Sequence, residues 1–144
     1  MSDPIQHPIS KLGFFLEYTS PWLIELSEAA ATLEQARSKP HVLTDHDVSE
    51  TRRVYTEQAE DLTLFEDTSA RWAAQANLTA EQRAGLATLG SNLVQLRHLN
   101  TSILELTDYL ETRTIERVLA TPDIELGLSE FLKHFSGQRP DTTN

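Results

Sequence analysis

Thr79–Leu110, TAEQRAGLATLGSNLVQLRHLNTSILELTDYL, is the stretch that decides the fold. Helical spacing places Leu86, Leu89, Leu93, Leu96, Asn100, Ile103, Thr107 and Leu110 on one face. The steps alternate three and four residues, the period of an amphipathic helix and not of a strand. The stretch opens on Thr79 with Gln82 three residues later, the pattern of a capping box in which each side chain reaches the other's backbone N–H. Asn100 is the one amide in the stripe. A buried Asn costs stability and selects register or oligomeric state, because its amide needs a partner.

Upstream, Asn77-Leu78-Thr79 reads as a short connection, so the preceding helix must be an antiparallel neighbour. Its face is Val48, Thr51, Tyr55, Gln58, Leu62, Phe65, Ser69, Trp72 and Ala76, a three-four alternation with several polar positions. Thr44 or Asp45 is the expected N-cap, and the acids that follow suit the positive end of the helix dipole. Folding the hairpin about Leu78 predicts Trp72 opposite Ala84–Gly85, and Glu60 and Asp61 near Arg97.

A first helix is expected from Ile9, with Leu12, Phe15, Thr19, Trp22, Leu26, Ala29, Leu33 and Ala36 inward. Pro21 interrupts it at a cost of ~3 kcal/mol if it lies in a helix interior. Either Ser20 caps a new helix with Pro21 at its first position, or the helix runs on with a kink. The unbroken phase favours two collinear segments joined by a kink. Pro40 is expected to end the element.

Downstream of Leu110 the stripe loses phase over Glu111–Thr114, then resumes at Ile115, Val118 and Leu119. Thr121-Pro122 is a restart signal for a short final helix carrying Ile124, Leu128, Phe131, Leu132 and Phe135, capped at Ser136-Gly137. The expected fold is all-α: an elongated, mostly antiparallel bundle of three long helices, the first kinked or broken at Pro21, plus a short C-terminal helix. Residues 1–8 read as a flexible lead, 9–137 as one bundle domain and 138–144 as a disordered tail.

Composition narrows the function classes. The chain has 144 residues, a net charge of −10 and no cysteine. Disulfides, thiolate catalysis and Cys-ligated zinc are excluded. Such a charge opposes direct binding of nucleic acid or of an anionic membrane surface and favours a basic partner. The N-terminus lacks the basic and apolar regions of a signal peptide, and no apolar run approaches a membrane span, so the expected location is the cytoplasm.

Candidate chemistry is sparse. No Glu-x-x-His of a di-iron bundle occurs. Glu130 and His134 can share a helix face. His41, Asp45, His46, Asp47 and Glu50 could hold a divalent cation, although helix capping accounts for the acids. No Gly-x-Ser-x-Gly elbow and no phosphate-cradling glycine loop is present. The expectation is therefore no enzyme, no metal and no cofactor. Ala80, Ala84, Ala87 and Ser91 form a small-residue ridge, which good helix formers at exposed sites explain.

Two surfaces stand out. Leu99, Asn100 and Leu106 widen the seam of the third helix and are the candidate interface of a homodimer. Glu57, Glu60, Asp61, Glu66 and Asp67 form an acidic run without a basic residue, a candidate face for a basic partner. The function expected is a non-enzymatic helical interaction or adaptor protein that self-associates and binds a protein partner. The alternative is an acidic inhibitor or DNA mimic that occupies a basic nucleic-acid-binding protein.

Overall fold

The computed structural model describes residues 7–39 and 42–120. After a 3₁₀ turn at Ile9–Lys11, three long helices follow: α1 (Leu12–Ala36), α2 (Asp45–Ala73) and α3 (Ala80–Glu111), then the short α4 (Ile115–Ala120). The fold is all-α, with three long helices and a short one after them. Three of the expected features, the final helix over 124–135, the tail from 138 and the stop at Pro40, lie outside the described residues.

The helix starts follow their caps. Thr44 is the N-cap of α2, its hydroxyl accepting from Asp47 N while Asp47 accepts from Thr44 N. Thr79 and Gln82 make the same reciprocal pair at α3. At its far end α2 stops at Ala73 and does not reach Ala76. Asn77 takes a left-handed φ of 63°, which Asn tolerates better than most residues, and this redirects the chain into α3.

Pro21 lies inside one continuous helix. Proline cannot donate to the Glu17 carbonyl, but Glu17 and Pro21 are both exposed, so water can serve that group. The phase of α1 therefore survives: Leu12, Phe15, Thr19, Trp22 and Leu26 are buried, while Ala29 and Leu33 pack at the margin of the core.

Helix α3 is the central element, lying against both α1 and α2. Its entire predicted stripe is buried, and Leu106 joins it. Next to α3, α1 runs parallel: Leu12 packs at Gly85, and Asn92 Nδ2 donates to Thr19 Oγ one helical stretch further on. Gly85 makes the approach possible, since a Cβ there would sit 2.9 Å from Leu12 Cδ2. Leu12 and Leu16 thus take the space at Gly85 that hairpin geometry predicts for Trp72. Trp72 turns instead toward α1, where its ring lies 4.9 Å from Phe15 and its Nε1–H donates to the His7 carbonyl at 2.9 Å. That bond ties His7, in the expected flexible lead, to the bundle.

Helix α2 runs antiparallel to α3, and polar pairs mark the register. Arg97 makes a two-pronged contact with Glu66, at 2.8 and 3.1 Å, and also donates to Thr63 Oγ. Glu60 and Asp61 are not its partners, which corrects the predicted pairing: Arg97 reaches the Ala59 carbonyl and Asn100 the Tyr55 carbonyl, as a hairpin about Leu78 requires, but the long guanidinium leans toward the start of α3 and so extends along α2 to Glu66. Near the other end Arg52 reaches Asp108 and Glu111. Beyond it Thr114 donates to Asp45 Oδ1 at 2.6 Å, and Ile115 N donates to the Leu43 carbonyl. These bonds fasten α4 to the start of α2.

Candidate functional site

With α1 and α2 both laid on α3, aromatic side chains fill the seam between the two outer helices. Phe15 and Trp22 of α1 pack on Phe65 of α2 at centroid distances of 4.7 and 5.5 Å, and Phe15 also meets Trp72. Rings bury large areas and gain from tilted or edge-on contacts, so they bridge a gap that aliphatic residues of this sequence would leave open. The Trp22 indole donates to Gln58 Oε1 at 2.9 Å, which satisfies its N–H in place.

Outside that layer the seam stays open. Tyr18 stacks on Phe65 at 5.6 Å and on Phe14 at 6.4 Å, yet Tyr18 and Phe14 remain 52% and 61% exposed. One crevice, about 450 Å³, is lined by Glu17, Tyr18, Pro21, Trp22, Glu25, Gln58 and Asp61. Tyr18 and the edge of Trp22 contribute aromatic surface to it, and its charged groups are carboxylates. Among the described residues Glu17, Glu25 and Asp61 have no ion-pair partner. Burial first, and then the negative charge of Glu25, push the Tyr55 phenol on the neighbouring helix above its ordinary value. A second hollow of about 230 Å³ lies toward the start of α1, lined by His7, Lys11, Phe14, Phe15 and Phe65. Its walls are nearly all apolar.

The structure divides the acidic run of α2. Glu57 pairs with Arg53, and Glu66 with Arg97, so both are neutralised locally. Glu60 and Asp67 point to solvent. Asp61 alone joins the crevice. Its companions Glu17 and Glu25 come from α1, and the sequence reading does not single them out. A signal for them exists, since Glu17, Pro21 and Glu25 recur at four-residue spacing on one exposed face.

The candidate dimer residues sit mostly inside the chain. Asn100 is 1% exposed, and its Nδ2 donates to the Tyr55 carbonyl at 3.1 Å. Leu106 is buried as well, and Leu99 is half-buried against the core. Of the three, Leu99 is the one that keeps surface for another chain. The His/Asp group at the start of α2 is engaged in structural contacts: Asp45 with Thr114 and Arg117, Asp47 in the cap, Glu50 with Arg53. His41 lies outside the described residues, as do Glu130 and His134. Ala80, Ala84, Ala87 and Ser91 are all exposed.

Chemically the crevice offers acceptors and π faces. A cation entering it would gain Coulombic attraction from three carboxylates and quadrupole attraction from Tyr18 and Trp22. A planar guanidinium matches both kinds of wall better than a compact ammonium. Against protein-family models, curated proteins and solved structures the chain finds no match, so the geometry of this seam is what a functional assignment has to stand on.

Proposed function

We propose that this protein is a non-enzymatic helical interaction module that binds a protein partner, and that the partner presents a basic segment to the α1–α2 seam. The observation that carries this is the crevice of about 450 Å³ in which Glu17, Glu25 and Asp61 stand beside Tyr18 and Trp22 with no ion-pair partner among the described residues. The net charge of −10 supports it by steering a basic partner from a distance. Self-association remains part of the proposal only through surface that Leu99 and exposed side chains such as Val94 and Ile24 supply, since Asn100 and Leu106 face the chain's own core. The rival role, mimicry of a nucleic acid, has weaker support: the ion pairs of Glu57 and Glu66 break the continuity of charge along α2. No helix among the described residues is long and apolar enough to cross a membrane.

Trp22 provides the test, because its indole lines the crevice. Titration with an arginine-containing peptide should change Trp22 fluorescence, with binding that weakens as salt rises. The triple variant Glu17→Gln, Glu25→Gln, Asp61→Asn should lose at least tenfold in affinity. Equal affinity of the triple variant and the parent chain would remove the crevice from the binding surface.

A further inference from the structure

The two openings of the seam differ in chemistry and are close together. The hollow at Phe14, Phe15 and Phe65 is apolar, and Lys11 at its edge has no ion pair among the described residues. The crevice at Glu25 and Asp61 is acidic. Between them stands the stacked Tyr18–Phe65 pair. From Phe14 to Pro21 is seven residues, two turns of α1, or about 10 Å along its axis. An α-helix lying along the seam repeats its own face on the same two-turn step. The exposed faces of Phe14 and Tyr18 would then form the ridge under its middle.

Resting on the basic-partner assignment above, we infer that the occupant of the seam is an amphipathic helix of another protein bearing a large apolar residue and, seven positions away, an Arg or Lys. The apolar residue fills the hollow at Phe14, Phe15 and Phe65. The basic residue enters the crevice among Glu17, Glu25 and Asp61. Charge complementarity selects this occupant over a purely apolar helix, which would leave three carboxylates facing a low-dielectric contact unpaired. It also selects it over a second copy of this chain, since two acidic crevices would repel each other across a two-fold axis.

The experiment is a selection from a displayed library of helical peptides with randomised surface positions, run on the full-length protein. Counter-selection uses Phe14→Ser combined with Glu25→Gln. Both residues changed are exposed, so the variant should keep its helical circular dichroism and melting temperature. The expected pool carries Leu, Phe, Trp or Met paired with Arg or Lys at a separation of seven. Individual peptides from it should bind at least tenfold more weakly to either single variant. Enrichment of basic residues at another spacing would overturn the two-turn geometry and leave the basic-partner assignment intact. A pool without basic residues, or one that Glu25→Gln and Asp61→Asn do not weaken, would overturn both. Sedimentation of the free protein as a dimer that Phe14→Ser dissociates would assign the seam to a second copy and overturn the inference.

Discussion

Asn100→Asp tests the packing of the α2–α3 seam with a change of almost no volume. In the folded chain Asn100 is 1% exposed, between Leu96 and Ile103, which are fully buried. Its Nδ2 donates to the Tyr55 carbonyl, and its Oδ1 has no partner among the described residues. Aspartate would replace the donor by an acceptor 3.1 Å from that carbonyl. The lost hydrogen bond costs about 1 kcal/mol, and an uncompensated buried charge costs about 3–5 kcal/mol. For a chain of this size the sum corresponds to a fall in melting temperature of roughly 10–20 °C at pH 7. The pH dependence gives a second readout. Burial raises the introduced carboxyl's pKa in the folded state above the unfolded value of about 3.9. The penalty is then absent below the unfolded value, grows as pH rises toward the folded one, and stays constant above it. At about pH 4 the introduced carboxyl, protonated in the folded state, can donate to the Tyr55 carbonyl again. Melting of parent and variant, followed by circular dichroism at pH 4 and pH 7, should therefore show a small gap in acid and a large one at neutrality. A gap of a few degrees that does not change with pH would mean that Asn100 reaches water and that the seam is open there.

Leu93→Asp, at a site only 3% exposed in the centre of α3, should unfold the protein or make it insoluble; near-parental melting would displace Leu93 from the core. Pro21→Ala restores a backbone donor for the Glu17 carbonyl in a continuous helix and should stabilise by about 1–3 kcal/mol, read as a rise in urea midpoint, whereas a fall would indicate that Pro21 begins a new helix. Thr114→Val removes the hydroxyl that, chiefly, holds the Asp45 carboxyl below its ordinary value, with Arg117 assisting and desolvation opposing. The Asp45 contribution to stability is present above the unfolded pKa and is lost as pH falls through the lowered folded one, so in the variant the contribution should be smaller and its loss complete at higher pH. An NMR titration of the Asp45 carboxyl that is unchanged by the substitution would contradict this. Arg97→Met should cost about 0.5–1 kcal/mol at low salt and less at high salt, because its contact with Glu66 is partly exposed.

Local chemistry was enough for the helices themselves. The three-four stripe of α3, the inward face of α1 through Pro21 and the two Thr-headed caps are properties of residues within a few positions of each other, so a linear pattern carries them. Thr68, buried in α2 beside the predicted face, shows the limit, since its hydroxyl is satisfied by the Leu64 carbonyl and nothing in its polarity announces burial. The seam is of another kind. Glu17 and Glu25 become part of one crevice with Asp61 only because α1 and α2 are held on α3 at a spacing that the aromatic rings fill. Likewise Asn100 and Leu106, which look like an interface along one helix, are both buried in the bundle, Asn100 against the Tyr55 carbonyl of α2. Periodicity says which face of a helix seeks cover, but two or three other helices can give that cover equally well in sequence. Which of them does, and which carboxylates then find no ion-pair partner among the described residues, depends on the sum of packing over the whole bundle, and that sum exists only in three dimensions.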